Sequence, residues 1–431
     1  NSIDPDPHRD GACYVAATSY KSGDYQPYLF KTLDYGQTWE TITNGIPGDE
    51  FTRVVRVDPE KQGLLYAGTE KGMWISFDDG ANWQPFQLNL PIVPVTDLTI
   101  KDNNLIAATQ GRALWMIDDL TPMQQLSDAV KNAKSYLFKP LAAYRMNGGQ
   151  ARRATLTMGT NHPNGVMIYY YLADKPSPKD SMELTITDQH GKTIQTFSTY
   201  AKDREHKLEP KQGSNLFVWD MMEDPAERFD GLIMWWASLS GPKAVPGNYQ
   251  VTLKSLGTEQ TQDFEILKDP RGTGTIADIQ KQHDFLAEIR DKMTETHRTI
   301  EDIRLVRKQM KGYEEMIKGM DQVDEIIAKM KNIDSAMTQI EEALYQTKNQ
   351  SPQDPLNFPI RLNNKLAHLT TLTSGNDFPP TVQAIAVKDE LIGEIDSYLN
   401  QFKQLTVADL KMLNQMIRDR TIDAIMLKKR E

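Results

Sequence analysis

With 431 residues, a formal charge of −10 and a single cysteine, the chain exceeds one ordinary core, is too acidic for a general nucleic-acid surface, and cannot form an internal disulfide framework. Apolar and aromatic residues make up 39%, enough for two to four domains of roughly 100–200 residues each. No apolar run approaches the ~18 residues that a membrane-spanning helix needs.

The chain opens with Asn-Ser-Ile-Asp-Pro-Asp-Pro-His rather than Met or a signal peptide, so the expectation is a mature, trimmed or partial product. From about Ala12 to Leu126 it reads as short strands broken by turns, and it repeats itself. Ala16-Ala17-Thr18, Ala67-Gly68-Thr69 and Ala107-Ala108-Thr109 mark one strand end three times, at offsets of 51 and 40 residues. Those offsets bracket the period of four-stranded propeller blades, roughly 40–50 residues.

Within the first two repeats a strand ends in an acidic turn, Thr32-Leu-Asp34-Tyr-Gly36-Gln-Thr-Trp39 and Ser76-Phe-Asp78-Asp-Gly80-Ala-Asn-Trp83. The acid can accept backbone N–H bonds, the glycine permits positive φ, and the tryptophan anchors the next strand. Turn building is therefore the expected role of Asp34 and Asp78, ahead of catalysis. The third repeat, Leu114-Trp115-Met-Ile-Asp118-Asp119, keeps the strand but lacks the glycine and tryptophan at the turn. Asp118 and Asp119, with Arg112 and Trp115, read either as a strand end whose acids satisfy backbone donors or as a weak ligand site. Successive side chains of a strand point to opposite faces, which weighs against both acids reaching one substrate.

The paired acidic turns resemble the Asp-box, Ser/Thr-x-Asp-x-Gly-x-Thr/Asn-Trp, of the bacterial-neuraminidase-repeat propellers. That family includes sialidases, xyloglucan-active glycoside hydrolases and sortilin-type receptors. The resemblance implies that the boxes lie on the blade periphery, away from any central site.

From about Tyr136 to Leu267 the apolar pattern alternates strictly, with turns at Gln189–Gly191 and Leu256–Thr258. An immunoglobulin-like β-sandwich over 136–267 is the expectation, from strand number and spacing. Trp235-Trp236 raises the idea of carbohydrate stacking. Alternation would place one ring in the sandwich core and leave the other for the propeller to cover. His162 reads as a loop histidine.

Asp269-Pro-Arg271 closes this segment, and a helical domain is expected over 275–431. Thr275 and Asp278 have capping-box spacing, and Ile279, Leu286, Ile289, Met293, Ile300, Ile303 and Met310 recur every three or four residues. A second helix runs from Val323 to Leu344, with Gly312 and Gly319 flanking the expected connection. A shorter helix begins near Leu362. Two more are expected at 381–402 and, behind a second capping box at Thr406 and Asp409, at 407–426. The methionine-rich stripes are expected to pack inside a bundle or long helical hairpin.

Taken in order, Ala108-Thr-Gln-Gly-Arg112-Ala-Leu-Trp115-Met-Ile-Asp118-Asp119, Leu137-Phe-Lys-Pro140, Gly241-Pro-Lys-Ala-Val-Pro-Gly-Asn-Tyr-Gln-Val-Thr-Leu253 and Asp269-Pro-Arg271 resemble the C-terminal part of large bacterial sortilin-like or glycosyl-hydrolase-like repeat proteins. This implies a mainly β then α architecture: last propeller blades over 1–126, the sandwich, then helices. It also implies a secreted, periplasmic or outer-surface location. The expected partner is an upstream propeller portion of the same protein, since propellers close on about four to eight blades and about two and a half to three are present here. The expected role is binding or scaffolding toward a glycan or protein ligand. The alternative is a glycoside hydrolase of the sialidase-like or xyloglucanase-like type. No residue spacing resembles a metal site, and no cofactor is expected.

Overall fold

Short antiparallel strands, cut by glycine and Asx turns, fill the first 117 residues of the computed structural model, which describes residues 1–146, 159–177 and 179–420. β1 (Ser2–Pro5), β2 (Cys13–Ser19), β3 (Asp24–Thr32) and β4 (Glu40–Thr41) form one meander in that order. β5 (Thr52–Val57), β6 (Leu65–Thr69), β7 (Met73–Ser76) and β8 (Gln84–Pro85) form a second. β9 (Val95–Lys101), β10 (Asn104–Thr109) and β11 (Leu114–Ile117) form a three-stranded third. The strands begin earlier than the sequence pattern indicated, because β1 pairs Ser2 with Ala16 and Ile3 with Val15.

Adjacent residues of β5 point to opposite faces, and each face feeds a different core. Val55, Leu65 and Trp74 pack with Tyr14, Ala16 and Leu29 of the first sheet. Val54, Tyr66 and Ile75 pack with Val95, Leu98 and Leu105 of the third. The approach is close at Gly68, where a Cβ would stand 2.6 Å from Val54 and 2.8 Å from Val95. Hence the repeated Ala-Ala-Thr becomes Ala-Gly-Thr in the middle sheet alone.

Two short helices, α1 (Thr121–Gln125) and α2 (Asp128–Asn132), lead into the next strands. These are β12 (Ser135–Leu137), β13 (Ala143–Arg145), β14 (Val166–Leu172), β15 (Glu183–Asp188), β16 (Thr193–Ser198), β17 (Gly213–Trp219), β18 (Gly247–Ser255) and β19 (Thr258–Lys268). One sheet has the order β12-β14-β17 and the other β13-β19-β18-β15-β16, antiparallel except for the β13–β19 pair. Their inward residues share one core, with Ile168 and Trp219 from the first sheet and Leu184, Val251 and Phe264 from the second. Leu256 and Gly257 both have positive φ, +50° and +80°, the turn geometry that matches strand twist in a two-residue hairpin.

The capping box is made at the start of α3 (Ile276–Ile317): the Thr275 hydroxyl accepts the Asp278 N–H, and Asp278 accepts the Thr275 N–H. α4 (Asp324–Leu344), α5 (Leu362–Thr373), α6 (Val382–Gln404) and α7 (Lys411–Asp419) pack with it around one core that includes Met293, Met310, Met330 and Met337.

Three further details differ from the sequence reading. Gly312 lies inside α3, so the connection begins only after Ile317. α6 runs through a π-helical turn, Leu405–Leu410, directly into α7. No cap forms there, since the Thr406 hydroxyl bonds back to the Lys403 carbonyl and Asp409 pairs with Lys329 of α4. Residues 421–426 of the expected last helix lie outside the described residues. The third difference concerns Trp235 and Trp236, which lie in no strand. The segment after β17 leaves the sheets and packs on the helices, placing Ala226, Phe229 and Leu239 in the helical core. Phe229 meets His297 and Tyr345 edge-on at 5.1 Å and 5.0 Å, under the Arg304 guanidinium at 4.6 Å.

Candidate functional site

The two acidic turns fold alike, atom for atom. Thr32 Oγ1 donates to Asp34 Oδ1 at 2.8 Å and accepts the Gly36 N–H at 2.9 Å. Asp34 then receives the Thr38 N–H at 2.9 Å and the Thr38 hydroxyl at 2.6 Å. In the second turn Ser76, Asp78, Gly80 and Asn82 repeat the set at 2.8, 2.9, 2.8 and 2.7 Å. Gly36 and Gly80 have φ of +83° and +84°, which a side chain would strain.

This geometry sets the chemistry of the acids. Hydrogen bonds from Thr38, and then from Thr32, hold the Asp34 carboxyl at about 2. Burial works against ionisation of Asp78, yet the bonds from Asn82 and Ser76 prevail and keep it below the ordinary carboxylate value. A carboxylate ionised at every physiological pH has no proton to deliver as a general acid. Three hydrogen bonds from the turn itself converge on each carboxylate.

The tryptophans of the two turns part company. Trp83 is 5% exposed: its indole N–H donates to the Ile42 carbonyl at 2.7 Å and its backbone N–H to Asn44 at 2.9 Å, both next to the outer strand of the first sheet. Trp39 is 48% exposed, and its indole N–H reaches only Gly36 of its own turn, at 3.1 Å. Ile3 of β1, and Leu33 and Tyr35 of the same turn as Trp39, are exposed as well. The first sheet thus has one face in a core and, at Ile3 and along its acidic turn, large apolar side chains in solvent.

The other sequence candidates are spread from the β10–β11 hairpin to the loop before β14. Arg112 and Trp115 bond within their own hairpin, Trp115 Nε1 donating to the Arg112 carbonyl at 3.0 Å. Asp118 and Asp119 follow the end of β11. Asp119 is buried; its Oδ1 accepts the Thr121 N–H at 2.8 Å and Asn103 Nδ2 at 3.0 Å, which shapes the entry to α1. Its Oδ2 has no hydrogen-bond partner, and burial pushes the carboxyl above its ordinary value. Gln124 continues this polar line, donating to Asn103 Oδ1 at 2.6 Å and to both oxygens of buried Asp58 at 3.2 Å. His162 is in a loop, its Nδ1 against the Pro163 carbonyl.

Beside α1 lies an open groove of about 790 Å³, lined by Gln124, Gln125, Lys139, Asp188, Gln250, Asp263 and Glu265 among others. Sequence reasoning missed it, because its walls come from α1, residues 139–142, the β15–β16 turn, the start of β18 and the middle of β19, far apart in the chain. Only the Asp188 turn carried a local signal. Among the described residues no group of three His, Cys, Asp or Glu side chains could hold a metal ion, and no helix is long and apolar enough to cross a membrane.

No family model and no curated protein matches the chain. Among solved structures it is similar to YCF48 bound to D1 peptide, at a TM-score of 0.21 and 13% identity, covering 61% of this chain and 66% of that one. It is similar to a GH74 xyloglucanase from Xanthomonas campestris at 0.23 and 12%, covering 62% and 38%. It is also similar to the extracellular domain of a hybrid two-component system from B. thetaiotaomicron, at 0.22 and 12%, covering 62% and 31%. The chain therefore spans less than two thirds of each of these structures.

Proposed function

We propose that this chain is a binding or scaffolding portion of a secreted or cell-envelope Asp-box propeller protein. In this reading its first three sheets are propeller blades, its paired sheets an immunoglobulin-like sandwich, and the free face of the first blade receives a further blade. The observation that carries the reading is the contrast between Trp83, 5% exposed under a neighbouring sheet, and Trp39, 48% exposed at the same position of the same turn. An indole anchor at a repeat boundary is built to be covered, and contiguous apolar patches on a protein surface mark interaction sites. The Asp-box acids contribute to shape and leave any reaction to other residues.

Hydroxyl-radical footprinting with intact mass measurement, on protein from its native source and on the isolated chain, tests this. Trp39 should oxidise rapidly in the isolated chain and be protected in the native material, where additional sequence or a co-purifying polypeptide is recovered. Equal, rapid oxidation of Trp39 in both samples, with Trp83 protected in both, would refute it.

A further inference from the structure

Four of the chain's seven histidines hold one loop, the segment between β17 and β18 that leaves the sandwich and packs on the helices. At its base, His283 Nε2 of α3 meets Glu223 Oε1 at 2.6 Å, and His206, before β17, meets Asp224 at 2.9 Å and Asp203 at 2.6 Å. The Ala226 N–H then bonds the Leu239 carbonyl at 2.8 Å and closes the loop into a tip. There His297 Nδ1 of α3 donates to the Glu227 carbonyl at 2.5 Å, and His368 Nδ1 of α5 to the Trp236 carbonyl at 2.7 Å.

Two more side chains complete a clamp on the tip. Asn364, buried on α5, bridges the Trp235 backbone: its Oδ1 accepts the N–H at 2.8 Å, and its Nδ2 donates to the carbonyl at 2.9 Å. The Tyr345 hydroxyl takes the Ile233 N–H at 3.2 Å and donates to the Gly231 carbonyl at 3.3 Å. The clamp holds Trp236 at a φ of +50°, an outlier for a bulky side chain, and such strain persists only where surrounding contacts over-determine it.

Base and tip answer protons in opposite senses. Burial opposes a charge on His206 and His283, yet the carboxylates prevail and raise both above the ordinary histidine value. Buried His297 goes the other way: burial lowers it and the Arg228 guanidinium adds to the effect, against the bond to Glu227. Its Nδ1 carries the proton given to Glu227, so a second proton would sit at Nε2, where Asn363 Nδ2 already donates at 3.4 Å. Around it stand Glu227 and Arg228 of the loop, Arg298 and Arg304 of α3, and Glu341 and Tyr345 of α4, while α5 presents the uncharged Asn363. Both carboxylates already have a cation, Glu227 with Arg298 and Glu341 with Arg304, each at 2.7 Å.

We propose that this loop is a pH-sensitive strap, whose tip, residues 226–239, lifts from the helices in mild acid while its base stays attached. Lifting withdraws Ala226, Phe229 and Leu239 from the helical core. The closed form excludes a proton that the open form takes once pH falls below about 6.5, so opening increases by at most tenfold per pH unit for one proton and levels off at the lowered value. The device stands apart from the docking of a further blade, since its residues belong to the loop and the helices.

Hydrogen exchange of the full chain between about pH 7.5 and 5, corrected for the intrinsic rate, tests it. Peptides over 226–239 should lose protection below about pH 6.5, by up to about tenfold per unit, while those over 213–224 keep theirs. His297→Gln, which can donate to Glu227 but takes no proton, should stay protected throughout. Arg228→Gln, on the exposed side of the loop, should flatten the dependence, and it decides the matter if His297→Gln fails to fold. The proposal is overturned if tip and base lose protection in parallel, if the tip is equally protected across the range, or if the folded variants keep the wild-type dependence.

Discussion

Replacing each turn tryptophan by alanine measures how much the neighbouring sheet contributes. An aromatic of this size buries roughly 150–250 Å², and at roughly 25 cal/mol per Å² that amounts to about 4–6 kcal/mol for a fully covered ring. Trp83 is 5% exposed and should lose nearly all of this, together with a 2.7 Å bond that leaves the Ile42 carbonyl without its donor. Trp39 is 48% exposed and bonds only within its own turn. Its replacement should cost about half as much, roughly 2–3 kcal/mol on the same area scale. Native-state hydrogen exchange at the amides of β6 and β7 reads the opening of the second sheet and avoids assuming that the whole chain unfolds in one step. Trp83→Ala should lower protection there far more than Trp39→Ala lowers it in β2 and β3. Costs equal within about 1 kcal/mol would refute the argument that a neighbouring sheet makes the difference.

Gly45 has φ of +100°, and a Cβ there would stand 2.2 Å from the Trp83 carbonyl oxygen. Gly45→Ala should therefore destabilise by more than ~1 kcal/mol, weakening the same amides as Trp83→Ala, while Gly48→Ala, with open space around it, serves as the silent control. His283 on α3 meets Glu223 at 2.6 Å, with Arg290 3.4 Å from the same carboxylate and Asp284 3.2 Å from the imidazole. Burial disfavours its charge, but the bond and the charge of Glu223 prevail and raise it above the ordinary histidine value. A raised folded value means stability that is fully present below the unfolded value of about 6.5 and lost as pH rises through the folded one. The urea midpoint should fall on that alkaline side, and His283→Gln should flatten the slope; parallel slopes would exclude the pair as its source.

Local chemistry made the acidic turns, the repeated strand ends, the Leu256-Gly257 hairpin and the first helix cap legible in the sequence. Each is decided within a few residues, by an Asx acceptor, a glycine or a hydroxyl at fixed spacing. What escaped was decided at a distance. Thr406 and Asp409 have cap spacing, yet Asp409 is taken by Lys329, 80 residues earlier, and the helix runs on through a π turn. Trp235 and Trp236 sit in an apolar run that mimics a strand, but their backbone partners are Asn364 and His368, some 130 residues later. β1 was hidden by its own composition: Asp4 and Pro5 are poor strand formers and are tolerated there because the strand lies at a sheet edge. The groove beside α1 was unreadable for the same reason as the tryptophan clamp.

The residue between the acid and the glycine of each turn, Tyr35 and Asp79, adopts left-handed φ of +60° and +62°, and there an aromatic ring in one turn stands where the other has a charge. Asp79 reaches into the preceding sheet, accepting Arg9 at 2.7 Å and Lys31 at 3.2 Å and taking the Tyr14 hydroxyl. Tyr35 offers a ring in place of a charge. Sheets built from one repeated turn would otherwise be interchangeable in a stack. At this position Asp79 fits the second sheet to the charges of the first, Arg9 and Lys31, and Tyr35 could not make those bonds.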